Sequence, residues 1–274
     1  MTVTNAVETT MIWGTVSGAS MVGMVISLLL SVGLPIFLGI FIYKKTKAWV
    51  PAFFIGCGIF VGFAMILEQI CHAIVLTMTG DVIRDNIWLY AIYGGLAAAL
   101  FEECGRWIAM KFCLKKHLTR ENALMYGAGH GGIEAFLILG MSSMSNLLTA
   151  AMINGGLMEK TMTALEPAQQ EVTYHQLSVL WTTPAYQFYL APVERISAIA
   201  LQIALSILVY SAVKTGRKLH LAAAFGLHFA VDFLTVICAA AIPTWALELG
   251  LLLVVAVICV VVYQLVYVQM AEKK

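Results

Sequence analysis

Two pairs of polar residues at helical spacing are the features of this sequence that most clearly suggest chemistry. One is His130-Gly-Gly-Ile-Glu134 and the other is His228-Phe-Ala-Val-Asp232. Residues i and i+4 of a helix share a face, so each pair would direct an imidazole and a carboxylate to the same side. Such groups are suitable zinc ligands, and the pattern predicts a metal site of His130, Glu134, His228 and Asp232. A structural hydrogen-bond network between helices is the alternative.

A double glutamate precedes both pairs in the chain and supplies a candidate base. Glu102 and Glu103 are followed by Arg106. Because three or four residues separate them, Arg106 can form a structural ion pair with one of the two glutamates. The other glutamate would then be free to take a proton from a water. With the two histidines this gives a predicted catalytic set of Glu102, Glu103, His130 and His228.

The elements that must position these groups are indicated by the composition. Of the 274 residues, 61% are hydrophobic and only 11% are charged, and the net charge is +1. Such a chain has more apolar surface than one soluble core can hide, so we expect an integral membrane protein. Nothing in the charge balance points to nucleic acid as a partner. The six cysteines form no Cys-x-x-Cys pair, and we interpret them as apolar packing residues.

Seven apolar segments are long enough to cross a bilayer, which takes about 20 residues. Each should be a helix, since irregular backbone is not tolerated against lipid. We therefore predict an all-α protein whose residues 1–274 form a single integral membrane domain. A longer outer connection, residues 152–184, has aromatic residues that suit a membrane interface. The predicted spans are residues 18–43, 50–77, 87–114, 122–150, 185–213, 219–242 and 244–270.

The basic residues predict the orientation of these spans. Twelve of the sixteen lysines and arginines fall in the loops after the first, third and fifth spans and at the C-terminus. Because cytoplasmic loops carry an excess of Lys and Arg, this distribution predicts an N-terminus outside and a C-terminus in the cytoplasm. The expected location is a bacterial plasma membrane, with multiple spans in the lipid bilayer.

Depth sorts the polar residues inside the spans into two groups. Counting about 1.5 Å per residue from the cytoplasmic ends, the double glutamate and both histidine pairs lie about 12–20 Å from that boundary. Polar groups at this depth are costly, so three helices that place them at one level indicate a function. A second group, nearer the outer ends, is interpreted mainly as structural ion pairing, with contact to a substrate as the alternative: Glu68, His72, Glu194 and Arg195.

At these residues the sequence resembles the YhfC family of predicted intramembrane metalloproteases. That family looks related to the group that contains the CAAX prenyl endopeptidases, the bacteriocin-processing enzymes and PrsW. The group's motifs are matched in order by Glu102-Glu103-Cys-Gly-Arg106, Tyr126-Gly-Ala-Gly-His130 and His228-Phe-Ala-Val-Asp232. Tyr126 replaces a Phe, and the first motif is one residue shorter than in the CAAX enzymes.

The resemblance implies a protease that hydrolyses a peptide bond of a membrane-associated protein or peptide. It implies Glu102 as the base, with Glu103 paired to Arg106. His130, His228 and Asp232, with Glu134 as a further candidate, would either bind zinc or orient a water without a metal, as in a glutamic protease. Two alternatives of another class stay open, a proton-coupled transporter and a non-catalytic membrane scaffold. The carrier is disfavoured because we find no inverted repeat.

Overall fold

The fold was determined in a computed structural model that describes residues 11–270. Most of these residues are in helices and none is in a strand, and seven of the helices are long and apolar enough to cross a membrane. The predicted all-α, seven-span architecture is therefore confirmed, and the chain is a multi-pass integral membrane protein. The helices are α1 Gly18–Thr46, α2 Pro51–Thr79, α3 Ile87–Cys113, α4 Arg120–Asn154, α5 Ala185–Thr215, α6 Lys218–Ala239 and α7 Thr244–Tyr267.

The centre of the bundle is α5. In its most apolar stretch 72% of the residues are buried, against 11–33% in the other six helices. Helices α1, α3, α4, α6 and α7 pack against it, and α2 packs on α3 and α4. The outer helices turn apolar side chains outward, as at Phe37 and Leu253, which are 61% and 68% exposed. In a bilayer such side chains face lipid, so their exposure costs nothing there. A polar residue on α5 consequently lies inside the protein and needs a partner.

Helices α3 and α4 carry much of the predicted site, and a side-chain cap fixes where each of them begins. Asn86 accepts hydrogen bonds from the backbone N–H groups of Trp88 and Leu89 at the start of α3. Thr119 accepts one from the N–H of Asn122 at the start of α4. These caps satisfy donors that a helix end would otherwise leave unpaired. They set the register in which the two helices present their polar residues.

The glycine-rich stretch of α4 is a packing surface. A Cβ atom added to Gly127 would lie 2.7 Å from the Cα of Ile203 on α5, and one added to Gly129 would collide with the backbone of Phe53 on α2. Small residues let helix backbones approach closely. Helix α4 is therefore held between α2 and α5, and His130 lies fully inside the protein.

The connection after α4 contains two further helices, Leu157–Met162 and Pro167–Thr182. The second packs on the segment before α1, where the rings of Trp13, Tyr174 and Trp181 meet and the Tyr174 hydroxyl donates to the carbonyl of Ile12.

The predicted orientation concerns the chain termini as well as the loops. Residues 1–10, with Lys273 and Lys274, lie outside the described residues. An N-terminus outside and a C-terminus in the cytoplasm therefore stay predictions.

Candidate functional site

Three helices bring the predicted catalytic residues into direct contact. Nε2 of His130 on α4 lies 2.9 Å from Oε2 of Glu102 on α3. Nδ1 of His228 on α6 lies 2.8 Å from Oε1 of Glu103, and its Nε2 lies 3.9 Å from the same Oε2 of Glu102. All four residues are at most 7% exposed. The four predicted residues thus meet in the structure, and their common depth in the bilayer stays a prediction.

The carboxylates determine which ring nitrogens carry protons. An ionised carboxylate only accepts hydrogen bonds, so the nitrogen that contacts it must donate. His130 therefore donates from Nε2 to Glu102, and His228 donates from Nδ1 to Glu103. This leaves Nε2 of His228 facing two carboxylates, Glu102 at 3.9 Å and Asp232 at 3.5 Å. Both distances are longer than a normal hydrogen bond. A proton, a water or a cation between the ring nitrogen and the two carboxylates would stabilise this arrangement.

Arg106 lies close enough to Glu103 to form the ion pair predicted with one of the two glutamates. It is fully buried, and its Nε lies 3.2 Å from Oε2 of Glu103, although the N–H is not aligned for a hydrogen bond. Its Nη1 donates to the carbonyl of Gln202 at 2.7 Å and to the Ser206 hydroxyl at 2.8 Å. Its Nη2 donates to the side-chain oxygen of Gln202. The guanidinium thus joins α3 to α5 as well as to Glu103.

Gln202 on α5 is the central residue that sequence reasoning missed. Because Arg106 can only donate, the amide oxygen of Gln202 must face it, and the amide nitrogen must face the carboxylates. That nitrogen donates to Oε2 of Glu102 at 2.9 Å and to Oε2 of Glu134 at 2.7 Å. The sequence does contain a signal for this residue. Gln202 is a polar residue in an apolar span, and it lies on the same helix face as Arg195, seven residues earlier.

Arg195 pairs with Glu194, as expected for the outer group, but the expectation that this group is separate from the first is wrong because Arg195 also contacts Glu134. Nη1 of Arg195 lies 3.2 Å from Oε1 of Glu134, and the same guanidinium donates to Glu194. The reason is that Glu134 lies one turn beyond His130, within reach of the long arginine side chain. Both oxygens of Glu134 thereby accept hydrogen bonds, one from Arg195 and one from Gln202.

Glu68 and His72 do form the expected contact one helical turn apart. Nε2 of His72 lies 3.3 Å from Oε1 of Glu68. Its Nδ1 is 2.8 Å from the Tyr93 hydroxyl on α3. Glu68 itself is buried in α2. This cluster is polar and hydrogen-bonded across two helices, which is consistent with the structural role expected for it.

A cavity of about 220 Å³, called here the first cavity, adjoins the site. Glu102, His228 and Asp232 line it from one side, and Gln202 and Arg195 from the other. Apolar residues such as Leu201 and Val255 complete the wall. An enclosed space of this size, which mixes apolar walls with a few converging polar groups, is typical of a small binding or active site.

The residue types at the site are suitable metal ligands, whereas the side chains as arranged do not form a complete metal-binding site. Two imidazoles and a carboxylate are common zinc ligands, and a ligating histidine usually donates its other N–H to a carboxylate, as His228 does to Glu103. Among residues 11–270, however, no group of three or more His, Cys, Asp and Glu side chains is arranged so as to hold a metal. The fit rests on donor chemistry and on the free Nε2 of His228.

Comparison with known proteins identifies related sequences. The family described as YhfC intramembrane metalloprotease matches residues 30–259. An uncharacterized membrane protein YhfC of Bacillus subtilis (strain 168) is 43% identical over 204 residues, which cover 71% of this chain and 76% of the relative. No solved structure matches the chain. Since residues 30–259 contain all three motifs, the matched region includes every group of the candidate site.

Proposed function

Because the chain belongs to the YhfC intramembrane metalloprotease family, we propose that it is an intramembrane peptidase. It hydrolyses a peptide bond of a membrane-associated protein or peptide. One observation carries this proposal: a buried carboxylate, Glu102, is held by His130, faces His228 and lines a cavity within the membrane-spanning bundle. A charged group is energetically costly at that position, and its presence there indicates a function.

Glu102 acts as the base in this proposal. It takes a proton from a water in the first cavity as the water oxygen attacks the carbonyl carbon of the substrate. The protonated Nε2 of His228, held through Nδ1 by Glu103, donates to the oxyanion that develops. The proton on Glu102 then passes to the departing amine nitrogen when the C–N bond breaks. His130 fixes the orientation of the Glu102 carboxylate throughout.

A metal would be held by His130, His228 and Asp232, and in that form His130 would give up its hydrogen bond to Glu102 in order to bind the metal. When bound, it would make a coordinated water a stronger nucleophile and stabilise the developing negative charge. In this proposal Glu134 is a hydrogen-bond partner of Gln202 and Arg195 and not a metal ligand, because both of its oxygens already accept hydrogen bonds.

Metal content tests this part of the proposal. Purified active protein should contain about one zinc per chain, and His228→Ala should lose most of it because a ligand is gone. Elemental mass spectrometry on both proteins gives the answer. Less than about a tenth of a mole of metal per mole of active wild type would leave only the metal-free glutamic scheme.

Gln202 is proposed as a positioning residue, since it aims Glu102 without touching the reacting atoms. Gln202→Met removes the donor to both carboxylates, and we expect kcat to fall about 10- to 100-fold while KM changes little. Gln202→Asn, which keeps the amide, should recover part of the loss. Ser206→Ala is the matched control, because it removes one partner of Arg106 and leaves both carboxylates untouched. Steady-state kinetics decide the matter, and a rise in KM alone would contradict the positioning role.

The proposed function itself is tested with purified protein in liposomes that contain membrane-anchored peptides. New termini detected by mass spectrometry, and absent with Glu102→Gln, are the expected result. Intact peptides with both proteins, together with solute uptake that requires Glu102, would instead establish a carrier.

A further inference from the structure

A second cavity, of about 360 Å³, adjoins the first. Four helices form its walls: α2 through His72 and Leu76, α3 through Tyr93 and Gly94, α5 and α6. Glu194, Arg195, Asp232 and Thr235 line both cavities. Because the two spaces share these four residues, a molecule in the second cavity lies directly beside Asp232, which is 3.5 Å from Nε2 of His228.

The second cavity has a loosely packed wall on the side of α2. Of the eleven described residues in the far half of this helix, Gln69–Thr79, none is buried. This half follows a π-helical stretch, Val61–Glu68, in which the regular hydrogen-bond ladder is interrupted. Few fully buried contacts therefore have to be broken to separate this half of the helix from its neighbours. The wall beside His72 and Leu76 can thus yield to a molecule in the membrane.

The polar groups of the second cavity suit a polypeptide rather than a lipid tail. The Tyr93 hydroxyl and His72 bond to each other at 2.8 Å, and Arg195 and Asp232 lie further in. A peptide bond can be attacked only when its carbonyl is freed from the helix that spans the membrane. The N–H and C=O groups so released need hydrogen-bond partners that hydrocarbon does not offer. This cavity offers such partners on the way to Glu102.

From this continuity, and resting on the proposed function, we infer that the second cavity is the passage by which the substrate reaches the site. Its occupant is an unwound, extended part of the substrate's membrane segment, which enters beside Gln69–Thr79. The first cavity then holds the bond that is cut, and the second holds the residues that lead to it.

Gly94 offers a way to block this passage without disturbing the fold. A Cβ atom added to Gly94 meets no described atom within 4 Å, so a larger side chain can grow into the cavity. The neighbouring Gly95 would not serve, since its Cβ would lie 3.1 Å from Phe229. Gly250 on α7 is the matched control, because its Cβ finds the same open space and it lines neither cavity.

The experiment compares Gly94→Leu, Gly94→Phe and Gly250→Phe by cleavage of a membrane-anchored peptide in liposomes. We expect kcat/KM to fall with side-chain size at position 94, at least about tenfold for Phe, while Gly250→Phe stays within about twofold of wild type. Thermal unfolding in detergent identifies any variant that fails to fold. If Gly94→Phe does so, Gly94→Leu decides, because leucine is well tolerated in helices.

The possible failures are distinguishable. Wild-type rates in folded Gly94→Leu and Gly94→Phe would overturn the passage and leave the peptidase in place. An equal loss in Gly250→Phe would also overturn it, since the effect would not be specific to the cavity. Absence of cleavage by the wild type would remove the proposed function and the passage with it.

Discussion

Replacing Glu102 with glutamine is expected to abolish peptide hydrolysis while the protein stays folded. An amide has the shape of the carboxylate but cannot take a proton from water, and loss of a general base costs about 10²–10⁴ in rate. The fold should survive because both strong contacts of Oε2, with His130 and Gln202, are made by donors that an amide oxygen can still accept. Removal of a buried negative charge also relieves a desolvation cost.

The measurement is the rate of cleavage of a membrane-anchored peptide by wild type, Glu102→Gln and Glu248→Gln. Glu248 is a buried carboxylate on α7 that lines neither cavity, so its variant controls for the loss of an intramembrane charge. Activity of Glu102→Gln within a factor of a few of wild type would exclude Glu102 as the base and direct attention to Glu103.

Replacing Arg106 with alanine is expected to have the largest effect on stability. Its guanidinium is fully buried and holds Glu103, Ser206 and both oxygens of Gln202. Without it, the Glu103 carboxylate is left in the interior with His228 as its remaining partner, and breaking a buried ion pair in this way costs about 3–5 kcal/mol. The free energy of unfolding in detergent, with the yield of monodisperse protein, measures the loss.

Arg84→Ala is the matched control for Arg106→Ala. Arg84 and Asp81 are 4.0 Å apart and exposed, and an exposed pair of that kind contributes at most about 1 kcal/mol. Normal stability of Arg106→Ala combined with lost activity would contradict the account, because Arg106 would then serve the reaction rather than the fold.

The cluster of Glu102, Glu103, His130 and His228 was predictable because polar and charged residues are energetically costly in a membrane. Two His-x-x-x-carboxylate pairs and a double glutamate are visible as charges inside apolar runs, and helical rise alone places them at one level. The structure agrees, with Glu102 between His130 and His228. Helix number was equally accessible, because each span must be long and apolar.

Two features of the site could not be predicted by locating charged residues in the apolar spans. Gln202 is neutral, so it did not stand out from the apolar run of α5, although its amide joins Glu102 to Glu134. The link from Arg195 to Glu134 depends on side-chain length and on which helices are neighbours, and depth along a helix reports neither. For the same reason the sequence grouped the polar residues by level but did not show that the two cavities share a wall.

The most direct test of the proposed active centre is cleavage of one membrane-anchored peptide by His130→Ala and His228→Ala at matched expression. His130 orients Glu102, and His228 presents Nε2 to the first cavity, so both the metal and the metal-free scheme require both imidazoles. Each variant should fold, because Glu102 keeps Gln202 and Glu103 keeps Arg106 as a neighbouring donor when an imidazole is removed. The account predicts that each folded variant leaves the peptide intact, and wild-type cleavage by either one would contradict it.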